Sequence, residues 1–125
     1  MLEGRFMHPT LPATDLERAK AFYAEKLGLT PARDMPGGLV YEGGGGWFLL
    51  YPSGAAGGGQ HTQAGWQVDD IEAEIAALKE RGVVFEEYDY PTFQTVDGIA
   101  ATGNTKAAWF KDSEGNLLGI VQLEG

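Results

Sequence analysis

Cysteine is absent from this 125-residue sequence, which excludes disulfides, thiolate metal sites and cysteine nucleophiles. Long apolar runs are missing too. None approaches the roughly 18 residues that a membrane-crossing helix needs, so no membrane partner is expected. Met1 to His8 hold no basic segment followed by an apolar stretch, so no secretory leader is expected and the cytoplasm is the expected compartment. Basic residues are few, 9 against 18 acidic ones, for a net charge of −9. That field repels polyanions and argues against a nucleic-acid partner; its simplest role is to keep a small protein in solution.

The sequence does hold an ordinary globular mixture, 43% apolar and 22% charged, enough for one domain or two half-domains sharing a core. It is also written twice. Asp15, Leu16 and Glu17 match Asp70, Ile71 and Glu72 at an offset of 55 (15 to 70), and a one-residue slip then pairs Gly28 with Gly82. Thr14 with Glu17, and Asp69 with Glu72, place an oxygen acceptor three residues before a glutamate, the capping-box pattern of a helix start. Leu16, Ala19, Tyr23 and Leu27 share one helical face, as do Ile71, Ile75 and Leu78, and the two glycines close the helices.

Strand patterns surround each helix. In the first copy they cover Arg5 to Leu11, Thr30 to Asp34, Leu39 to Glu42 and Trp47 to Tyr51. In the second they cover Gln63 to Val68, Val83 to Tyr88, Ala107 to Lys111 and Leu117 to Leu123. Each copy therefore reads βαβββ. Ser53 to Gln60, rich in glycine and alanine, is the natural linker, which puts the first module at 1–58 and the second at 59–125. Tyr90 to Lys106 reads as a long irregular loop, either a binding loop or a plain surface one.

The Leu-Pro-x-x-Asp-Leu-Glu-Arg-x-x-x-Phe-Tyr segment from Leu11, the Asp-x-x-Gly-Asn hairpin from Asp112 and the repeat resemble the glyoxalase/bleomycin resistance/dioxygenase superfamily, also called the vicinal-oxygen-chelate superfamily. The resemblance implies an α+β fold in which two βαβββ modules form a curved eight-stranded sheet around a central cleft, usually within a homodimer. Activity does not follow, because fold and function are separable.

The resemblance also says where a metal would sit. In metal-dependent relatives one ligand lies seven residues before the first helix-start aspartate, which is His8 here, and its repeat mate is Gln63. The other two lie four residues after each hairpin glycine. Counted from Gly46 and Gly115 these are Leu50 and Gly119. A one-residue slip gives Leu49 or Tyr51, and Leu118 or Ile120, and still no carboxylate. A divalent ion needs three or four such donors, so no metal and no cofactor are expected. His61 would join His8 only if its strand began early, and the glycine-rich linker before it argues for a loop.

Strand alternation then adds Phe6, Thr10, Phe48, Gly65, Gln67, Leu117 and Val121 to the expected cleft face. Trp109 is expected across from Gly119, with its indole over the glycine. Phe93, in the long loop, is a residue that would close over the cleft. Phe22, Tyr23 and Trp66 are expected between sheet and helices, and Trp47 on the outward face as a dimer contact. The expected ligand-binding set is Phe6, His8, Phe48, Leu50, Gln63, Gln67, Phe93, Trp109 and Gly119, around a small apolar or aromatic molecule. This describes a metal-independent binding protein, with an antibiotic-like compound as cargo and resistance as its use. The alternatives are a glyoxalase- or dioxygenase-type metalloenzyme, and a metal-free lyase or isomerase using His8. The glycine runs lack the lysine and serine or threonine of a phosphate loop, and neither Ser53 nor Ser113 has a histidine near it in sequence.

Overall fold

The computed structural model describes residues 1–57 and 61–123. The end of the expected linker and the expected module boundary at 58/59 lie outside the described residues. The first module holds β1 (Thr10–Ala13), α1 (Leu16–Leu27), β2 (Arg33–Met35), β3 (Gly38–Gly43) and β4 (Gly46–Pro52). The second holds β5 (Ala64–Gln67), α2 (Ile71–Glu80), β6 (Asp89–Tyr90), β7 (Phe93–Gln94), β8 (Ala100–Thr102), β9 (Thr105–Lys111) and β10 (Leu117–Leu123). The fold is α+β, with two βαβββ-like modules as expected. Their strands form two four-stranded mixed sheets, ordered β1-β4-β3-β2 and β5-β10-β9-β8, beside a two-stranded β6-β7 ribbon.

Both helices start one residue later than the capping pattern suggested. The caps are Asp15 and Asp70, whose carboxylates accept from the N–H groups of Arg18 and Ala73. In a capping box the cap's own N–H is satisfied by a glutamate inside the helix. Here Asp15 donates instead to Glu114 of the other module, at 2.9 Å. Gly28 ends α1 in the left-handed region, as expected.

Three strand expectations need correction. β1 begins at Thr10 rather than Arg5, because Pro9 has no N–H for a ladder. β2 begins at Arg33, beyond Pro31. Val83 to Tyr88 forms no strand; its backbone pairs with β9 only at an isolated Phe85–Phe110 bridge. The place beside β9 goes to β8, from the stretch expected to be irregular.

Each sheet presents one face to its helix. Leu11, Tyr41, Phe48 and Leu50 pack with Ala19 and Tyr23, and Ala108, Phe110, Leu118 and Ile120 with Ile71 and Ile75, in one shared core. The modules also interlock through polar groups. Tyr23 donates to Asp112 at 2.7 Å, Asn116 donates to the Pro12 carbonyl at 2.8 Å, and Arg18 forks onto Glu114 at 2.8 and 3.0 Å. Backbones meet where Gly57 crosses the β9–β10 turn. A Cβ on Gly57 would lie 2.7 Å from the Glu114 carbonyl oxygen, and both Gly57 and Gly115 have φ of +84°.

Candidate functional site: an aromatic groove in the second module

The site is built on the face of the second sheet that points away from α2. Gly119 pairs with Gly65 on one side and with Trp109 on the other. A Cβ at Gly119 would stand 3.3 Å from Trp109 Cδ1. The indole therefore lies over the glycine, in the expected place, and a side chain at 119 would press against it.

The wall above Trp109 comes from the chain between α2 and β9. Glu86 N–H donates to the Trp109 carbonyl at 2.8 Å, and the chain then leaves the sheet. It runs out as β6, reverses at Pro91–Thr92, returns as β7 and rejoins β9 as β8. A second reversal, Val96 to Ile99, has Asp97 and Gly98 at φ of +53° and +82°, the two-residue hairpin turn that Asp-Gly favours. Glu87 ties the excursion at its base, accepting from Thr95 Oγ1 at 2.7 Å and from the Gly98 N–H at 2.6 Å. Thr95 Oγ1 in turn accepts from the Tyr88 N–H at 2.8 Å.

The excursion brings four rings together. Trp109 meets Phe93 at 5.3 Å and Tyr88 at 5.8 Å, both edge to face, and Tyr88 meets Phe93 at 5.8 Å and Tyr90 at 6.2 Å. They line an open groove of about 570 Å³, with His61 and an ion pair of Glu86 and Lys111 (3.6 Å) among its walls. Burial, then the nearby Glu86 and Tyr90, raise the Tyr88 phenol above its ordinary value. At neutral pH the ring is an uncharged wall with a polar tip.

The first sheet's corresponding face carries a second aromatic group. The His8 and Trp47 rings stack at 3.8 Å and 17°, and Phe6 lies parallel to Trp47 at 5.8 Å. Trp47 thus shares a face with His8, contrary to the outward position expected for it. Phe48 and Leu50 face the other way. Leu50 pairs with Leu11 and both are fully buried; Phe48 stacks on Tyr41 at 4.9 Å in the core. The expected face was wrong because the count began at Gly46, which is already in β4. The turn glycine matching Gly115 (φ +84°) is Gly45 (φ +88°), and four residues on from it lies Leu49.

With that register the implied metal positions read His8, Leu49, Gln63 and Gly119. Two have no donor atom, and the Gln63 amide oxygen already accepts from the Leu117 N–H at 3.3 Å. These residues do not fit a divalent ion. Among the described residues no group of three His, Asp or Glu side chains converges anywhere else either. Of the expected ligand set, the structure brings Phe93, Trp109 and Gly119 together, and places Phe6 with His8 around Trp47. Gln67 is exposed on β5 in register with Val121. Tyr88, Tyr90, Glu86 and Lys111 were missed. The alternation of Tyr88 and Tyr90 before a proline turn was the available signal.

Comparison with known proteins agrees with this fold. Residues 5–44 match the family described as bleomycin resistance protein-like N-terminal. Among solved structures, TnmS3, an antibiotic binding protein from Streptomyces sp. CB03234, is 26% identical, with 99% of each chain covered and a TM-score of 0.66. A putative glyoxalase family protein from Bacillus anthracis is 16% identical, over 95% of this chain and 94% of its own, with a TM-score of 0.74. UcmS2 is 24% identical, over 94% of this chain and 96% of its own, with a TM-score of 0.67. No curated protein sequence matches.

Proposed function

We propose that this chain, a member of the glyoxalase/bleomycin resistance/dioxygenase superfamily by its fold and its N-terminal match, is a metal-independent protein that sequesters a small, planar, antibiotic-like aromatic compound. The observation that carries the reading is the four-ring corner of Tyr88, Tyr90, Phe93 and Trp109 around an open groove. Aromatic faces gathered around an open groove hold a flat guest by stacking and edge contacts. The indole over Gly119 takes the space in which a ligating side chain would stand. The likeness to TnmS3, described as an antibiotic binding protein, points the same way.

In this reading Trp109, Phe93 and the backbone at Gly119 form the floor and wall, with Tyr88 and Tyr90. Phe6, His8, Gln63 and Gln67 supply the remaining contacts within a cytoplasmic homodimer. Phe48 and Leu50, as core residues, take no part.

Titrating the protein with a panel of polycyclic aromatic antibiotics, read by tryptophan fluorescence, tests the proposal. Saturable quenching that survives EDTA is expected. Trp109→Ala, with its circular dichroism unchanged, is expected to weaken binding by roughly 30-fold, the loss typical of a central aromatic anchor. A flat response across the panel would sink the reading. Binding that vanishes with chelator would favour the metalloenzyme instead.

A further inference from the structure

The wall of the aromatic groove is not all rings, for Glu86 and Lys111 line it beside Tyr88 and Trp109. Glu86 lies two residues before Tyr88, and Lys111 two residues after Trp109 on β9. The Glu86 N–H donates to the Trp109 carbonyl at 2.8 Å, which holds the two segments side by side. The charged pair is thus about 7 Å from the rings, two residues along extended backbone.

The pair is open to a guest. Lys111 Nζ stands 3.6 Å from Glu86 Oε1, too far for a hydrogen bond, whereas Arg33 and Glu42 on the first sheet close to 2.8 Å. Among the described residues neither side chain has another hydrogen-bond partner. Both reach the solvent of the groove, since the Lys111 side chain is 55% exposed and that of Glu86 30%.

A donor therefore stands beside an acceptor, each short of a bond. An ion of either sign gains little there, because it meets its like charge almost as closely as its opposite. The matching neutral group is an acceptor beside a donor. In a ring amide the carbonyl oxygen and the N–H nitrogen share one edge, about 2.3 Å apart by standard bond lengths. The oxygen accepts from Lys111 and the nitrogen donates to Glu86, both bonds charge-assisted, while the ring plane lies against the aromatic walls.

We propose that the groove selects flat aromatic lactams and imides, read along one edge by Lys111 and Glu86 together. This rests on the groove holding a flat aromatic guest, and it adds the chemistry by which that guest is chosen.

2-Quinolinone is the probe. Coumarin, the same two fused rings with the N–H replaced by a ring oxygen, is its control. Each is titrated at millimolar concentration into the full chain, and 1H–15N NMR follows the Tyr88 and Phe93 amides and the Trp109 indole. Both are expected to shift these signals saturably, with 2-quinolinone bound roughly tenfold more tightly. Glu86→Ala leaves the backbone bond to Trp109 in place, so it is expected to keep its circular dichroism and to erase the lactam preference. Lys111→Met is expected to weaken both probes alike and to leave the preference, because both carry the carbonyl. Equal affinity for the two probes, a preference that survives Glu86→Ala, or unweakened binding in Lys111→Met overturns the edge recognition while the groove reading stands. If neither probe moves these signals, both fall.

Discussion

At Glu114 a carboxylate with no exposed side-chain surface receives donors from both modules: the Asp15 N–H, the Arg18 guanidinium and the Ser113 hydroxyl. The Arg18 hydrogen bonds, helped by the Asp15 N–H and Ser113, hold its carboxyl down at about 2, below the ordinary 4.5, against the opposing effect of burial. A carboxyl whose folded value is depressed stabilises the fold fully above its unfolded value, and that stabilisation is lost as pH falls through the folded one. The window is thus pH 4.5 down to about 2. We expect the melting temperature to hold on its neutral side and to fall inside it. Glu114→Gln keeps the size and an acceptor oxygen but not the charge. It is expected to melt lower at pH 7 and to lose less than the parent on going from pH 5 to 2.5, as measured by calorimetry. Equal acid sensitivity in both proteins would show that the charge at 114 is not what acid removes.

At the scale of elements, the wall of the groove hangs on Glu87. Neither β6 nor β7 belongs to a main sheet, so the ribbon's place is set by the Glu87–Thr95–Gly98 contacts at its base and the ring contacts at its tip. Glu87→Ala is expected to speed amide exchange at Tyr88 and Gly98, leave Leu118 and Ile120 protected, and weaken the aromatic ligand by roughly tenfold, the worth of one charge-assisted hydrogen bond. Unchanged exchange at Gly98 would refute the clamp. This element is also where the sequence was least legible. Helices of 12 and 10 residues and strands of 7 carry enough periods to be read, and the two aspartate caps repeat at the same offset. β6, β7 and β8, at two or three residues, are too short for any period to show, and only Asp97-Gly98 and Pro91 marked the turns. The site follows the same logic. Trp109 was placed over Gly119 because cross-strand pairing around a single turn is a local matter. Phe48 and Leu50 were misplaced because two adjacent turn glycines, Gly45 and Gly46, differ only in φ, which sequence does not display.

At the scale of the whole molecule, the chain exposes 7868 Å², whereas a compact monomer of 13.4 kDa exposes about 6,500 Å². The excess is roughly 1,400 Å², more than the 800 Å² or so that each partner gives up in a standard interface. Part of the excess is apolar and clustered. Phe6 and Met7 are 57% and 90% exposed, beside the half-buried Trp47. Both sheets use their helix-side faces for the one shared core, so the faces bearing His8–Trp47 and Trp109–Gly119 stay open. A second copy is the partner that supplies matching apolar surface at every concentration of the protein, and two-fold pairing closes without leaving an edge. We therefore expect light scattering after size exclusion to give twice the 13.4 kDa chain mass. Phe6→Glu with Met7→Glu adds charge at exposed positions that carry no core contact, and is expected to return the protein to one chain mass with its circular dichroism intact. If the parent runs as a single chain at micromolar concentration, the open faces serve the ligand alone. The ligand should then bind with a stoichiometry and affinity that do not change on dilution.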